Sequence, residues 1–358
     1  MPDTRLYLDH AATTPMLTEA KRAVAQAMDK WANPSSPHGD GRRARAMLED
    51  ARRRIADALD WEGEVLLTSG ASEAIAIALG RSEVSVRLVS RVEHEAVLRL
   101  VGGDARFLLG VDRWGRLDLD ALGQALEWAG PSVLVAVQSV NNETGVVQDL
   151  AAITKQVGQA GGLLFADCSQ SAGKLPLPDA DLIAISAHKL GGPPGIGALL
   201  VRDLGMLKAS GGQEKGYRPG TENLPAAMGF AAALESSDDW LETAKRLRAN
   251  LDAQIVAAGG EVVAQHAPRL ATIAGYRMPG MAANAQLIQF DLAGISVSAG
   301  SACSSGTLKT SHVLTAMGYL EDQAGEVVRV SFGPETDKAD IDRFVTVWRA
   351  IATRAQAA

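Results

Sequence analysis

Residues Leu182–Lys189 read LIAISAHK, four apolar residues followed by a serine, an alanine, a histidine and a lysine. Leu163–Gln170 reads LLFADCSQ and follows the same plan, with an aspartate at the end of its apolar run. Short apolar runs of this kind are typical of strands buried on both faces of a parallel sheet. A lysine just past one strand and an aspartate just past its neighbour suit pyridoxal phosphate. The lysine forms a Schiff base with the aldehyde, and the aspartate keeps the pyridine nitrogen protonated. We therefore take Lys189 and Asp167 as the centre of the candidate site.

The pattern around this pair predicts an α/β fold. Apolar strands alternate with helices through the N-terminal part of the chain, which indicates a mainly parallel sheet covered on both faces. After about residue 236 the pattern changes to a charged helix, short strand-like pieces and a final helix, which indicates a smaller α+β domain. The predicted strands are 64–68, 86–90, 133–138, 162–166, 182–186 and 198–201, and the main predicted helices are 18–31, 42–59, 71–79, 119–128, 150–160 and 239–257.

The sequence also predicts caps and buried or exposed faces for some of these helices. Helix 18–31 is predicted to be capped by Thr18 and to have Met28 on its apolar face. The arginine clusters at 42–45 and 52–54 are predicted to lie on the solvated face of a helix. The core face of the final helix is predicted from helical spacing at Ile341, Phe344, Val345, Trp348 and Ile351.

The composition argues against several classes of protein. With 358 residues, a net charge of −7 and 22% charged residues, the chain is typical of a soluble globular protein that does not bind nucleic acid nonspecifically. No apolar run approaches the ~20 residues that a membrane helix needs. Two cysteines make no disulfide framework, and the histidines lack zinc-ligand spacing. The N-terminus has no signal-peptide pattern. We expect a cytoplasmic protein with no metal site and no direct contact with nucleic acid or membrane.

Two glycine-containing junctions differ in what they predict. Leu67–Glu73 reads LTSGASE, a strand end, a glycine turn and a helix start. Free N–H groups and the positive end of the helix dipole bind phosphate at such a junction, and the hydroxyls of Thr68 and Ser72 add donors. Alone, the pattern also fits an ordinary turn with a serine cap. Gly191–Gly197 lacks the spacing of a nucleotide-binding loop and predicts only a turn after the lysine.

Three further polar residues are candidates, each with a plainer alternative. His94 follows a predicted strand and suits stacking on a cofactor ring or acid–base chemistry, although a helix-capping or surface histidine fits too. Asn142 lies beyond strand 133–138, at the end of a strand where ligands bind, although a polar turn fits as well. Arg329 suits bidentate capture of an amino-acid carboxylate, with a surface salt bridge as the alternative.

The two cysteines have different surroundings. Cys303 lies among small residues in SAGSACSSG, a segment with few apolar anchors that we expect to be an accessible, mobile loop. A cysteine there is nucleophilic if its pKa is lowered, whereas the usual alternative is a small buried residue. We interpret Cys168, which sits against a strand end, as such a buried residue.

Taken together, these segments resemble the cysteine desulfurases, in the class V aminotransferase superfamily of fold-type I pyridoxal-phosphate enzymes. The resemblance runs from Tyr7 to about Pro334 and includes the motifs at 7–15, 33–38, 211–214 and 218–221. The small residues around Cys303, followed by SHVL at 311–314, are similar to the group I (NifS/IscS-like) desulfurases. In such a protein, residues 13–235 would form the large cofactor-binding domain. Residues 1–12 and 236–358 would form the small domain that carries the cysteine loop.

The resemblance also implies a role for each matching position. Lys189 would hold the cofactor and move the Cα proton, and Asp167 would pair with the pyridine nitrogen. L-cysteine would be held by its carboxylate, and Cys303 would attack its sulfur, leaving alanine and an enzyme persulfide for an iron–sulfur scaffold or another sulfur carrier. The remaining implied contacts are Gln170 with the ring hydroxyl, His94 stacked on the ring, Ala71, Ser72, Ser186 and His188 with the phosphate, Thr221 with the phosphate of the partner subunit in a homodimer, and Asn142 and Arg329 with the substrate carboxylate.

Two other functions remain open from the sequence. An aminotransferase or lyase acting on another amino acid would share Lys189 and Asp167 but would not need Cys303. A protein that binds pyridoxal phosphate without turnover, as a regulator or scaffold, would not need the full set of polar residues. A role of Cys303 in turnover therefore separates the desulfurase from both.

Overall fold

The structure is a computed structural model that describes residues 5–30, 32–102, 104–236, 240–300 and 310–356. Its strands are β1 (Leu6–Tyr7), β2 (Glu64–Thr68), β3 (Val86–Ser90), β4 (Leu108–Leu109), β5 (Val133–Gln138), β6 (Leu163–Asp167), β7 (Leu182–Ser186), β8 (Gly197–Val201), β9 (Glu261–Val262), β10 (Ile273–Arg277), β11 (Ile295–Ser296), β12 (Ser298–Ala299) and β13 (Val327–Ser331). Its helices are α1 (Thr18–Met28), α2 (Gly39–Ala58), α3 (Ala71–Arg81), α4 (Glu95–Leu98), α5 (Leu119–Ala129), α6 (Leu150–Gln159), α7 (Leu224–Glu235), α8 (Leu241–Ala257), α9 (Ala283–Leu292), α10 (His312–Ala316), α11 (Glu321–Ala324) and α12 (Lys338–Gln356). Within these ranges, no helix is both long and apolar enough to cross a membrane.

A seven-stranded sheet in the described part of the chain carries the candidate site. Its strand order is β2-β8-β7-β6-β5-β3-β4. From β7 to β4 each pair of neighbours is parallel, whereas β8 runs antiparallel to both β2 and β7. The prediction of a mainly parallel sheet in an α/β fold is therefore confirmed. The predicted strands coincide with β2, β3, β5 and β7, and β6 lies one residue later than predicted.

Both faces of this sheet are buried because alternate side chains of each strand enter opposite cores. In β5, Val133 and Val135 belong to a core that also contains residues of α2, α5, α6 and α7. Leu134, between them, belongs to the core shared with α3 and α4. Because neither face meets water, the strands are mostly apolar, which is the pattern that made them visible in the sequence.

A second sheet has the order β12-β13-β10-β9, and its described neighbours are antiparallel. It packs in a separate core with α8, α9 and α12. The rings of Phe290 and Phe344 stack at the centre of that core with centroids 5.0 Å apart, and Trp348 lies against both. All five residues predicted to form the core face of the final helix are buried, so that prediction is confirmed.

The N-terminal segment joins the two sheets. Strand β1 pairs in parallel with β11, and Leu8 is buried in the core of the second sheet. The chain then crosses to the large sheet, where the N–H of Thr14 donates to the carbonyl of His188 at 2.8 Å. The N–H of Leu17 donates to the carbonyl of Gly191 at 2.9 Å. Residues 9–17 therefore lie against the turn that follows β7.

Three local predictions are wrong. Thr18 is the first residue of α1 and not its cap; the cap position is Leu17, where the chain is tied to Gly191. Met28 is 65% exposed because the buried stripe of α1 runs through Ala20 and Ala27, and Met28 lies about 100° further round the helix than Ala27. Arg52 is buried, unlike the solvated face predicted for it, because its guanidinium turns inward onto the carboxylate of Glu214.

Candidate active site

A cavity of about 430 Å³ opens at the carboxyl ends of the parallel strands, the edge at which open α/β sheets bind ligands. It brings together most of the residues predicted from the sequence. Those that line it are Ala71, Ser72, His94, Asn142, Asp167, Gln170, Ser186, His188 and Lys189.

Lys189 lies in a short 3-10 turn, Ala187–Lys189, directly after β7. Its Nζ donates to the carbonyl of Ala11 at 2.6 Å, so the N-terminal segment reaches the amine itself. The hydroxyl of Thr14 donates to the carbonyl of Lys189 at 3.2 Å. The amine and the backbone of this lysine are therefore both held by the segment that crosses from the second sheet.

Asp167 ends β6, which is the neighbour of β7 in the sheet. Its Oδ1 accepts hydrogen bonds from the N–H of Ser169 at 2.9 Å and from the hydroxyl of Ser169 at 2.5 Å. These donors fix the carboxylate at the floor of the cavity. Gln170 follows in the same turn, and its Nε2 donates to the carbonyl of Ala11 at 2.9 Å.

The start of α3 forms one end of the cavity. Gly70 precedes the helix and supplies no side chain to cap its first N–H groups. Its φ of +150° is open to glycine and strained for other residues, and a Cβ added there would meet nothing within 4 Å. The hydroxyl of Thr68 donates to the carbonyl of Gly70 at 3.0 Å and supports the turn. Ala71 and Ser72 thus line the cavity at the positive end of the helix dipole.

His94 both lines the cavity and caps a helix, so the two interpretations offered by the sequence are compatible. Its Nδ1 accepts the N–H of Ala96 at 3.2 Å, at the start of α4. Burial, the largest cause, lowers the pKa of His94; Asp167 opposes that shift and Lys189 adds to it. The ring is therefore biased towards the neutral form.

Arg329 is not brought into this cavity. Its guanidinium is buried, pairs with Oδ1 of Asp9 at 2.8 Å, and donates to the carbonyl of Asn142 at 3.0 Å. The Nε of Arg329 is buried without a hydrogen-bond partner in the described structure. The plain surface salt bridge considered as an alternative does not apply, because Arg329 is buried and Asp9 is only partly exposed. Arg329 instead contacts the backbone of Asn142, which does line the cavity.

Thr221 and Cys303 are the remaining predicted site residues. Thr221 is exposed and does not line the cavity. Cys303 lies outside the described residues. After the undescribed stretch, the hydroxyl of Ser311 donates to the carboxylate of Glu143, and Nε2 of His312 lies 2.9 Å from the carbonyl of Glu93. Cys168 is fully buried, as predicted, and burial raises the pKa of its thiol to about 12.

The sequence analysis missed several groups at this site. Both Lys189 and Gln170 donate to the carbonyl of Ala11, a backbone acceptor that no side-chain pattern marks. Glu93 is fully buried beside His94, and burial raises its pKa well above the usual value for a carboxyl group. An acidic residue three positions after β3, between Val92 and His94, was the signal available for it.

Comparisons with known proteins agree with this architecture. The model of the family "Aminotransferase class-V" matches residues 6–344. The chain is 34% identical to cysteine desulfurase IscS 1 of Archaeoglobus fulgidus, over 97% of each chain. It is also 34% identical to the IscS-like cysteine desulfurase of Mycobacterium tuberculosis, over 98% of this chain and 97% of that one. The solved structure of a NifS-like protein from Rickettsia africae superposes with a TM-score of 0.90 at 30% identity, covering 98% of this chain and 99% of the other.

The chain therefore belongs to the class-V aminotransferases and, within that family, to the cysteine desulfurases. The resemblance inferred from the sequence, the fold-type I architecture and the enzyme class are confirmed. Enzymes of this family depend on pyridoxal phosphate.

The residues of the cavity fit such a cofactor. Oε1 of Gln170 is buried and has no hydrogen-bond partner within the described chain, although it lies at the wall of a cavity large enough for an aromatic ring. A buried polar atom of this kind normally has a partner, and a ring hydroxyl would supply one. The uncapped start of α3 suits a phosphate, and the Asp167 carboxylate suits a protonated pyridine nitrogen.

Proposed function

We propose that this chain binds pyridoxal phosphate in the described cavity and removes sulfur from L-cysteine, giving L-alanine and a persulfide on Cys303. The observation that carries the proposal is the arrangement of Lys189 and Asp167 at the ends of adjacent strands, beside the uncapped start of α3. A lysine, a carboxylate and an anion site around one cavity are the groups that this cofactor requires. A structural neighbour described as SspA in complex with cysteine, 28% identical with a TM-score of 0.79 over 93% of this chain and all of that one, supports the substrate.

Each cavity residue has a proposed task towards the cofactor. Lys189 attaches it covalently, and Asp167 pairs with its ring nitrogen. Gln170 hydrogen-bonds the ring hydroxyl, which would satisfy its orphaned oxygen. His94 stacks on the ring. The phosphate lies at the start of α3, held by Ala71, Ser72, Ser186 and His188.

The substrate steps that we propose use the roles implied by the family resemblance. When bound, pyridoxal phosphate supplies an electron sink for the bonds that change at the substrate. Lys189 moves the Cα proton. Asn142 and Arg329 hold the substrate carboxylate, and Arg329 would turn from Asp9 and the Asn142 carbonyl, its partners in the described structure, to reach it. The Cys303 thiolate attacks the substrate sulfur, so an S–S bond forms as the Cβ–S bond breaks. The electron pair of the broken bond stays on Cβ, where a proton completes alanine, and no external oxidant is needed.

We also propose how the molecule is organised. Residues 13–235 form a large cofactor-binding domain, and residues 1–12 and 236–358 form a small domain with the cysteine loop. The separate cores of the two sheets support this division. Two chains form a homodimer, in which Thr221 of one subunit reaches the phosphate bound by the other. The exposed position of Thr221, away from the cavity of its own chain, supports that assembly.

The persulfide would pass to an acceptor protein, either an iron–sulfur scaffold or another sulfur carrier. Each turnover begins with a free Cys303 thiol, and thiols stay reduced in the cytoplasm, so this chemistry favours a cytoplasmic location.

The test is the variant Cys303→Ser. We expect it to bind pyridoxal phosphate and to respond spectrally to cysteine, because Lys189 and Asp167 are unchanged. Alanine and sulfide production under a reductant should fall by about 100-fold or more, because a serine hydroxyl at neutral pH is a far poorer nucleophile than a thiolate. Visible absorbance with added cysteine, and the yields of alanine and sulfide, measure the two halves of this prediction.

Two variants serve as controls. Cys168→Ala removes the buried cysteine and should keep sulfur transfer, whereas Lys189→Ala should lose both covalent attachment of the cofactor and turnover. Sulfide release at the wild-type rate from Cys303→Ser would show that this cysteine is not the nucleophile. An aminotransferase or lyase would then be the better assignment.

A further inference from the structure

A second cavity, of about 300 Å³, shares only Lys189 with the candidate active site among the described residues. It lies between α1, the end of α7 and the residues after β13. Among the described residues, the ionisable side chains on its wall are Glu19, Lys174 and Lys189. Lys174 has no part in the chemistry proposed so far.

Lys174 ties together the two turns that carry the cofactor residues. Its Nζ donates to the carbonyl of Gln170 at 3.2 Å and to the carbonyl of Lys189 at 3.2 Å. The first turn follows Asp167, and the second follows β7. One side chain therefore links the backbone beneath the ring-binding residues to the backbone of the lysine.

The charge of Lys174 acts on its neighbours. Its hydrogen-bond acceptors are neutral carbonyl groups, so these bonds do not cancel the positive charge. Burial and then the charge of Lys189 lower the pKa of Lys174 to about 8. Lys174 in turn is the second cause, after burial, of the lowered pKa of His10 in the N-terminal segment. The carboxylate of Glu19, on α1, is exposed to solvent and therefore screened.

We propose that Lys174 is a positioning residue for Lys189: it fixes the lysine turn and keeps a second positive charge beside the Lys189 amine. The inference rests on the proposed role of Lys189 as the lysine that holds the cofactor. A neighbouring cation favours the uncharged form of an amine, which is the form that attacks an aldehyde or accepts a proton. A side chain with a purely structural role would hold the turn without changing the pKa of Lys189.

The test measures the titration of Lys189 in the full-length chain prepared without cofactor. Trace acetylation over a range of pH, read by peptide mass spectrometry, reports the pKa of each lysine. We expect Lys174→Gln, which removes the charge, to raise the pKa of Lys189 by about 1 unit, so that its acetylation at neutral pH falls about tenfold. Lys174→Arg keeps the charge and should leave the titration near that of the wild type. In the cofactor-loaded chain, the pH at which the visible absorbance titrates should move upward in Lys174→Gln.

Matched variants separate the electrostatic effect from general damage. Lys155→Gln changes an exposed lysine on α6 and should not alter the titration of Lys189. Because coupling between two sites is reciprocal, Lys189→Gln should raise the pKa of Lys174 by the same amount. If the Lys174 variants do not fold, the titration of Lys174 in Lys189→Gln measures the coupling instead. An unchanged titration of Lys189 in folded Lys174→Gln, or an equal shift in Lys155→Gln, would overturn the proposal. The amine titration involves neither cysteine nor turnover, so it remains informative if desulfurase activity is absent.

Discussion

The positive charges of Lys174 and Lys189 contribute to the lowered pKa values of His10 and His188. Burial, followed by the charge of Lys174, lowers the pKa of His10 to about 4. Burial, followed by the charge of Lys189, lowers the pKa of His188 to about 4 as well. Both rings are therefore neutral near pH 7. The ring of His188 lies within hydrogen-bond distance of the Thr13 hydroxyl, at 3.1 Å.

These shifts predict a loss of stability in mild acid. The histidines bind protons at about pH 6.5 when unfolded and at about pH 4 when folded. Between those values the unfolded chain holds more protons, so the free energy of unfolding falls as pH is lowered through this window and is fully present above it. Two fully shifted groups would release up to about two protons on folding, and their partial exposure reduces that number. Urea unfolding at a series of pH values, with fixed protein and cofactor concentrations, measures the slope.

Variants test whether the pH dependence of the unfolding free energy comes from these histidine rings. His10→Gln should reduce the pH dependence by up to about one proton. His266→Gln, which removes an exposed histidine, controls for the loss of a histidine as such. A wild-type slope in both variants would contradict the assignment to His10.

At the scale of elements, a buried ion pair joins helix α2, strand β2 and the turn at Glu214. Arg52, on α2, pairs with both carboxylate oxygens of Glu214, at 2.7 and 3.1 Å, and also donates to the carbonyl of Val65 in β2. The same carboxylate accepts the N–H of Leu67 at 2.8 Å. Glu214 has a positive φ of 49°, so the turn before Thr221 is held in an uncommon conformation by this pair.

Breaking this pair should destabilise the protein strongly. Arg52→Met leaves the Glu214 carboxylate buried without its partner, at a cost of about 3–5 kcal/mol. Adding Glu214→Gln should restore part of the loss, because the neutral amide still accepts the N–H of Leu67. Unfolding free energies of the two single variants and the double variant measure the coupling.

The neighbouring arginine provides the control. Arg53 pairs with Asp50 on the exposed face of the same helix, with 64% and 40% of the two side chains exposed. Arg53→Met should therefore cost less than about 1 kcal/mol. Equal losses of unfolding free energy from Arg52→Met and Arg53→Met would show that the buried pair stabilises the protein no more than the exposed pair.

At the scale of the whole molecule, the site depends on segments from both cores. The N-terminal segment leaves the core of the second sheet and supplies the Ala11 carbonyl to Lys189 and Gln170. Asp9, on the same segment, pairs with Arg329 of β13. Movement of the second sheet relative to the first would therefore alter the contact between the Ala11 carbonyl and Lys189.

The proposed homodimer predicts that two different variant chains complement each other in a heterodimer. Thr221→Ala homodimers should bind pyridoxal phosphate about 10–100-fold more weakly, the loss expected for one hydrogen bond to a charged group. A heterodimer of one Thr221→Ala chain and one Lys189→Ala chain should recover one tight, active site. That site combines the intact Lys189 of the first chain with Thr221 of the partner subunit. Differently tagged, co-expressed chains allow the heterodimer to be isolated and its cofactor affinity measured.

Thr221→Ser keeps the hydroxyl and should bind the cofactor like the wild type. If the heterodimer binds no more tightly than the Thr221→Ala homodimer, Thr221 acts within its own chain or not at all. A fully active monomer in dilute solution would contradict the composite site directly.

Local patterns in the sequence were sufficient for the elements and for the centre of the site. Apolar runs predicted the strands, because a strand covered on both faces is mostly apolar. Lys189 and Asp167 were predicted to be neighbours because each follows a parallel strand, and the carboxyl ends of such strands share one edge of the sheet. The face of the final helix followed from helical spacing in the same way.

Contacts between distant segments were decided only by the tertiary structure. Arg52 and Glu214 are 162 residues apart, and Asp9 and Arg329 are 320 residues apart. In sequence, an arginine that caps a buried carboxylate has the same appearance as one that faces water, because its neighbours along the chain are alike in both cases. The Ala11 carbonyl and the Lys174 amine were missed for the same reason, since their partners are backbone atoms that carry no sequence signal. Residue type and periodicity determined which elements form, whereas packing of the two sheets through the N-terminal segment determined which polar groups meet.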